Sequence, residues 1–271
     1  MDMKTIVITG STRGIGYGLA ESFLRLGCAV TVSGRAREGL EKACADLTSE
    51  YGPDQVFGYP CDVTDQQQVQ ALWEATRARF GRIDIWINNA GLGHGQASFW
   101  TFPPELIDVV VSTNLVGAMY AAQAALRGML EQGFGSLYNM EGMGSDGRVA
   151  MKGFTLYGTT KAGLHYLTKS LSQEVEGTPL VVGSVRPGMV VTDMIIQQYK
   201  DSPQEWERAR RILNIIADRV ETVTPWLAEQ ILANRKNGAV ISWTSRRKIM
   251  GRFLMAPFRK RDVFGDGEPG K

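Results

Sequence analysis

Tyr157 and Lys161 stand four residues apart in Leu-Tyr-Gly-Thr-Thr-Lys, at the end of a glycine-rich stretch that begins at Glu141. Residues i and i+4 share one face of a helix, so a phenol and an ammonium can point into one cleft. A free phenol, with a pKa near 10, is a poor acid or base at neutral pH. A neighbouring ammonium is expected to lower it, making Tyr157 a usable proton donor. The pair alone also fits a solvated helix face, so its meaning depends on what surrounds it.

A second group of residues lies near the start. Thr9-Gly10-Ser11-Thr12-Arg13-Gly14-Ile15-Gly16 follows an apolar run and opens a helical pattern. In that context the glycines let backbone approach a pyrophosphate, and the helix N-terminus offers free N–H groups. After the second apolar run, Ser33-Gly34-Arg35 has no acidic residue to hold the ribose hydroxyls of NAD. Arg35 and Arg13 are two cations able to pair with a 2′-phosphate, which favours NADPH, although both could simply be solvated. Asp62-Val63 could meet the adenine with a carboxylate and an N–H, and Asn88-Asn89-Ala90-Gly91 ends the fourth run, either as a turn or at the ligand-binding edge of a sheet.

The elements that must position these groups alternate. Apolar runs at 5–9, 29–33, 55–60, 83–88, 136–140, 180–185 and 238–242 are too short for helices and read as buried parallel strands. Helical patterns cover Ile15–Leu26, Gln66–Phe80, Gly117–Glu131 and Tyr157–Val175. The expected fold class is α/β, a single-domain Rossmann-type doubly wound parallel sheet with helices on both faces. It should occupy residues 1–244, with a basic C-terminal tail over 245–271. With 271 residues, 44% hydrophobic and 21% charged, the chain can fill one such core. No run approaches the roughly 20 apolar residues of a membrane span and no leader precedes the first run, so a cytoplasmic location is expected. Cys28, Cys44 and Cys61 fit no metal or disulfide spacing, and with only His94 and His165 present no metal site is expected.

Taken in order, Gly10-x-x-x-Gly14-x-Gly16, Asn88-Asn89-Ala90-Gly91, Asn114, Tyr157-x-x-x-Lys161 and Pro187-Gly188 resemble the short-chain dehydrogenase/reductase family over residues 4 to about 242. The resemblance implies that Tyr157 protonates a carbonyl oxygen while the cofactor gives hydride to carbon. It implies that Lys161 holds the nicotinamide ribose and tunes Tyr157, that Asn114 helps retain a relay water, and that Thr192 binds the carboxamide. The chain departs from the family at the exit of the fifth strand. Most relatives have Ser-Ser there, with a catalytic Ser 13 residues before the Tyr; here Glu141-Gly142 and Gly144 occupy those places. Ser145 is the nearest hydroxyl, and a flexible Gly142-Met143-Gly144 lead-in would present it as the oxyanion donor. Loss of such a donor costs roughly 3 kcal/mol of transition-state stabilisation. The segments Asn139–Gly147, Leu156–Leu164 and Arg186–Met194 are similar to the chlorophyll(ide) b reductase branch, which reduces a C7 formyl group to hydroxymethyl.

Substrate in this family lies under the segment after Pro187-Gly188, here 194–225. Its apolar stretches could line a large pocket or form an amphipathic helix packed on the body. Phe99, Trp100 and Phe102 are candidates for stacking on a flat ring or for the core, His94 is placed facing the cleft, and His165 is placed as structural. Alternatives are a reductase of a smaller alcohol, sugar, steroid or acyl substrate, and an NADP-binding regulator without turnover. The resemblance also implies a homo-tetramer or homo-dimer built on helices 117–131 and 157–175. Between Ser245 and Arg261 stand Arg246, Arg247, Lys248, Arg252, Arg259, Lys260 and Arg261 with no acid, leaving −5 for the rest of a chain of net charge +2. That tail suits a peripheral membrane contact, an anionic substrate or a subunit contact. No motif supports nucleic-acid binding.

Overall fold

A computed structural model describes residues 3–148, 150–197, 199, 203–259 and 261–264. All seven apolar runs are strands of one parallel sheet. These are β1 (Thr5–Ile8), β2 (Ala29–Gly34), β3 (Val56–Pro60), β4 (Ile85–Asn88), β5 (Gly135–Met140), β6 (Leu180–Arg186) and, after two short strands β7 (Val190–Val191) and β8 (Asp218–Arg219), β9 (Val240–Ser242). Their order is β3-β2-β1-β4-β5-β6-β9. The chain winds outward from β1 in one direction and from β4 in the other, which opens a crevice beyond the carboxyl ends of those two strands.

Helices α1 (Gly14–Arg25), α2 (Arg37–Tyr51), α3 (Gln66–Phe80), α4 (Pro104–Val111), α5 (Gly117–Gln132), α6 (Thr155–Glu174), α7 (Asp193–Gln197), α8 (Pro203–Ile216), α9 (Val220–Ala233) and α10 (Arg246–Met255) connect and cover the strands. One face of the sheet is closed by Leu19 and Phe23 of α1, Leu40 and Leu47 of α2, and Val223, Leu227 and Ile231 of α9. The other is closed by Leu72 and Trp73 of α3 and by Ala121, Ala125 and Met129 of α5. The alternation along β1 shows the division: Ile6 and Ile8 enter the first cluster, and Val7 the second.

A π turn over Ser112–Val116 joins α4 to α5, so one helix runs continuously from Pro104 to Gln132. By length and composition this helix is apolar enough to cross a membrane, which the sequence reading of 117–131 does not reach. Half of its most apolar stretch is buried in the protein, as expected of a core helix.

The C-terminal segment adds a helix rather than an extended tail. Asp218, almost wholly buried, accepts from Arg252 at 2.7 Å, Arg261 at 2.7 Å and Trp243 Nε1 at 2.7 Å. Burial alone would raise the Asp218 carboxyl, but these donors hold it below the usual carboxylate range. Lys260 and residues 265–271 lie outside the described residues, as do positions 198 and 200–202 of the segment after Pro187-Gly188.

Candidate active site

Thr9, at the end of β1, fixes the floor of the crevice. Its hydroxyl accepts from the N–H groups of Asn89 at 3.0 Å and Ala90 at 3.1 Å, while the Asn89 amide donates to the carbonyls of Thr9 and Gly10. Gly10 has φ +64°, and a Cβ there would stand 2.8 Å from the Cα of Ala90. Only glycine lets the two loops close this tightly. Thr9 itself was not singled out in the sequence, because a strand-end Thr is ordinary until its partner loop is known.

The remaining cofactor candidates divide by what occupies their side chains. Ser11 is buried and ties β1 to β2, donating to Ile8 O and accepting from Ser33 N, so only its backbone faces the loop. Thr12 packs on Gly34, Ile15 is partly buried against the core, and Val63 is buried against Gly117. The Asp62 carboxylate folds back on Thr64 N and Oγ1 in a tight turn. Arg35 is exposed and has no ion pair among the described residues. Arg13 stands 3.7 Å from Asp193, both side chains largely exposed. Thr192 lies over the start of α1, its Cγ2 3.5 Å from where a Cβ on Gly14 would be. The segment after Pro187-Gly188 thus faces the glycine loop from across the crevice, and Gly16 packs against Asn89 between them.

At the reacting end, α6 carries both Tyr157 and Lys161. The N-terminus of this helix has no side-chain cap of its own. His94, from the loop after β4, supplies one: its Nε2 accepts from Tyr157 N at 3.1 Å, and its Nδ1 contacts Gly95 O at 2.8 Å. That pairing requires the neutral ring with the proton on Nδ1. His94 is buried with Phe102 edge-on at 4.7 Å, so it anchors the helix instead of facing the cleft. Trp100 is 85% exposed.

Lys161 is buried, with Nζ donating to Met140 O at 3.0 Å and lying 5.7 Å from the centroid of the Tyr157 ring. Its Nζ and the Asn114 Oδ1 come within 3.7 and 3.5 Å of the place a Cβ on Gly91 would take, so Gly91, Asn114 and Lys161 converge. Both N–H groups of the Asn114 amide are used: it pairs with both N and O of Leu92 and donates to Thr160. The lowering of Tyr157 expected from the neighbouring ammonium is not found. The ammonium lies over the ring and not at the hydroxyl, and burial pushes the phenol up to about 12. Burial also lowers Lys161 to about 8, against the opposing charge of Glu141.

The Glu141-Gly142 departure acquires a structural meaning. The Glu141 side chain is wholly buried, accepting from Arg186 Nε at 2.5 Å and from His165 Nδ1 at 2.7 Å. A buried carboxylate needs such partners, which places Arg186 and His165 in an ionic support beneath Lys161. Glu141→Gln should therefore move the alkaline limb of the kcat profile to lower pH, because losing the anion makes the Lys161 ammonium harder to keep. An unmoved limb would separate Glu141 from Lys161.

Gly142 lies directly against Tyr157: a Cβ there would be 2.4 Å from its hydroxyl. The Ser145 hydroxyl is turned to the backbone of the same glycine, donating to Gly142 O at 2.8 Å and accepting from Gly142 N at 3.0 Å. The lead-in expected to be flexible is a closed turn. Ser145 can donate to a substrate oxygen only by releasing Gly142 O.

Comparison with known proteins agrees with this geometry. The family model described as short chain dehydrogenase matches residues 4–203. Chlorophyll(ide) b reductase NOL, chloroplastic, of Oryza sativa is 37% identical over 238 residues, covering 84% of this chain and 66% of that protein. The Arabidopsis thaliana protein of the same name is 37% identical over 246 residues, covering 87% and 67%. This chain therefore spans about two thirds of the length of those relatives. The 3alpha-hydroxysteroid dehydrogenase of Mediterraneibacter gnavus is 33% identical over 193 residues, covering 71% and 76%. Among solved structures, a variant of actinorhodin polyketide ketoreductase with NADPH superposes with a TM-score of 0.79 at 29% identity, covering 89% of this chain and 96% of that one.

Proposed function

The chain belongs to the short-chain dehydrogenase family, and from that premise we propose that it is an NADPH-dependent reductase of a large hydrophobic carbonyl, specifically the C7 formyl group of chlorophyll(ide) b. The supporting observation is the meeting of Tyr157, Lys161, Asn114 and Gly91 at the carboxyl edge of the sheet, beside the loop Glu141–Gly147. The 37% identity to two reductases of that name supports the substrate.

The residues fit a phosphorylated dinucleotide: close backbone approaches at Gly10 and Gly16, a positive-φ turn at Gly14, and an exposed Arg35 with no ion pair among the described residues. Asp62 and Val63 would hold the adenine, Arg35 the 2′-phosphate, Asn89, Ala90 and Gly91 the ribose side, and Pro187, Gly188 and Thr192 the nicotinamide end. A reduced nicotinamide bound there supplies hydride. Tyr157, fully protonated at neutral pH, gives its proton to the carbonyl oxygen. Lys161, while charged, binds the nicotinamide ribose. Asn114 fixes the Leu92 backbone at the mouth of the cleft. Ser145 is the second donor to the oxygen; Ser145→Ala should lower kcat about a hundredfold, and unchanged turnover would leave that task to another group.

Arg35→Ala should weaken NADPH binding about ten- to hundredfold, the worth of a charge-assisted phosphate contact, and leave NADH nearly unchanged. Equal losses in titrations with the two cofactors would remove the phosphate assignment. Met119, Leu130 and Tyr166 are exposed on α5 and α6 and support a homo-dimer or homo-tetramer through these helices, checked by sedimentation equilibrium. The similarity to a hydroxysteroid dehydrogenase favours a second reading, a smaller alicyclic alcohol or ketone. Purified protein with NADPH and chlorophyllide b decides between them: loss of the formyl chromophore with NADPH oxidation supports the first, and turnover of a steroid ketone alone supports the second.

A further inference from the structure

Helix α10 is built with its polarity reversed. Two of its cations turn toward the body: Lys248 Nζ sits 3.4 Å from the ring centroid of Trp243, and Arg252 is held by Asp218. The outward face and the turn after it expose Met250, Phe253, Leu254 and Phe258, the last 81% accessible. Isolated exposed apolar residues are ordinary, but four grouped on the outward face of one helix and the turn after it form the kind of patch that marks an interaction surface. Arg246, Arg247 and Arg259 are exposed around it, and none of the three has an ion pair among the described residues. Behind the patch, a cleft of about 490 Å³ between α8 and α10 is lined by five arginines, including Arg210, Arg211 and Arg259, against Glu207 and Asp262.

We propose that this face docks on an anionic lipid bilayer. Met250, Phe253, Leu254 and Phe258 enter the boundary between headgroups and acyl chains, and Arg246, Arg247 and Arg259 meet the headgroup phosphates. Charge selects this occupant over a second copy of the chain. A twofold contact sets a patch against itself, which would bring the arginine rims together, whereas an anionic surface complements both the rim and the arginine cleft. The contact asks nothing of the reaction, so it stands or falls apart from turnover.

The test is co-sedimentation of the full-length protein with vesicles of phosphatidylcholine alone and of phosphatidylcholine mixed with phosphatidylglycerol. Binding is expected only to the mixed vesicles and should weaken as salt is raised. Leu254→Ser with Phe258→Ser should reduce it at least tenfold. Arg246→Ser with Arg247→Ser should reduce it about thirtyfold, from the contribution of each basic residue at such a surface. Should the apolar variant melt early, the arginine variant carries the test, since those side chains are exposed. No binding to the mixed vesicles, equal binding to both kinds, or self-association abolished by the apolar variant would each overturn the proposal.

Discussion

Tyr157→Phe is expected to lower kcat for carbonyl reduction by a factor of about 10²–10⁴, the range that a positioned general acid contributes. The ring stays, and with it the packing over Lys161, so the affinity for NADPH should hold to within about twofold. The phenol has no hydrogen-bond partner among the described residues, so its removal leaves no buried group unpaired and the fold should not suffer. Stopped-flow oxidation of NADPH with chlorophyllide b, beside a fluorescence titration of the cofactor, reads both quantities. Normal turnover in the variant would falsify the assignment of Tyr157 as acid. A loss of turnover together with a loss of cofactor affinity would make the hydroxyl a binding group.

Gly142→Ala is the second large effect, and the tertiary structure alone suggests it. The added methyl would stand 2.4 Å from the Tyr157 hydroxyl, whereas ordinary contact requires roughly 1 Å more. Gly142 cannot retreat easily, because Ser145 holds both its N–H and its C=O. The hydroxyl must move instead, and a displacement of that size at a reacting atom costs on the order of 10²-fold in kcat. Circular dichroism should show the parent fold, and NADPH should bind as before. Full activity in Gly142→Ala would mean that Tyr157 works from a different position.

The support under these residues extends some way from the motif. Glu141, Arg186 and His165 come from the ends of β5 and β6 and from α6, and the charge of Glu141 keeps Lys161 from being neutralised further by its burial. His94 attaches the loop after β4 to the first turn of the helix that carries Tyr157. Both devices position groups that the sequence pattern identifies without saying how they are held.

The sequence by itself determined the fold class, all seven strands of the main sheet and the family. Short β-branched runs alternating with amphipathic stretches have few other packings, and glycines beside a strand end or a Tyr four residues before a Lys are local signals. Helices such as α2 and α10 were missed because their apolar positions are sparse or face outward. Only the tertiary structure decided the state of the site. Burial sets the Tyr157 phenol upward, and Lys161 lies over the ring, although the i, i+4 spacing points the other way. The Ser145 hydroxyl bonds the backbone of its own turn at Gly142, and Glu141 finds Arg186 across 45 residues. Desolvation and long-range pairing depend on which atoms surround a group, and that information belongs to the packed chain and not to the spacing of its letters.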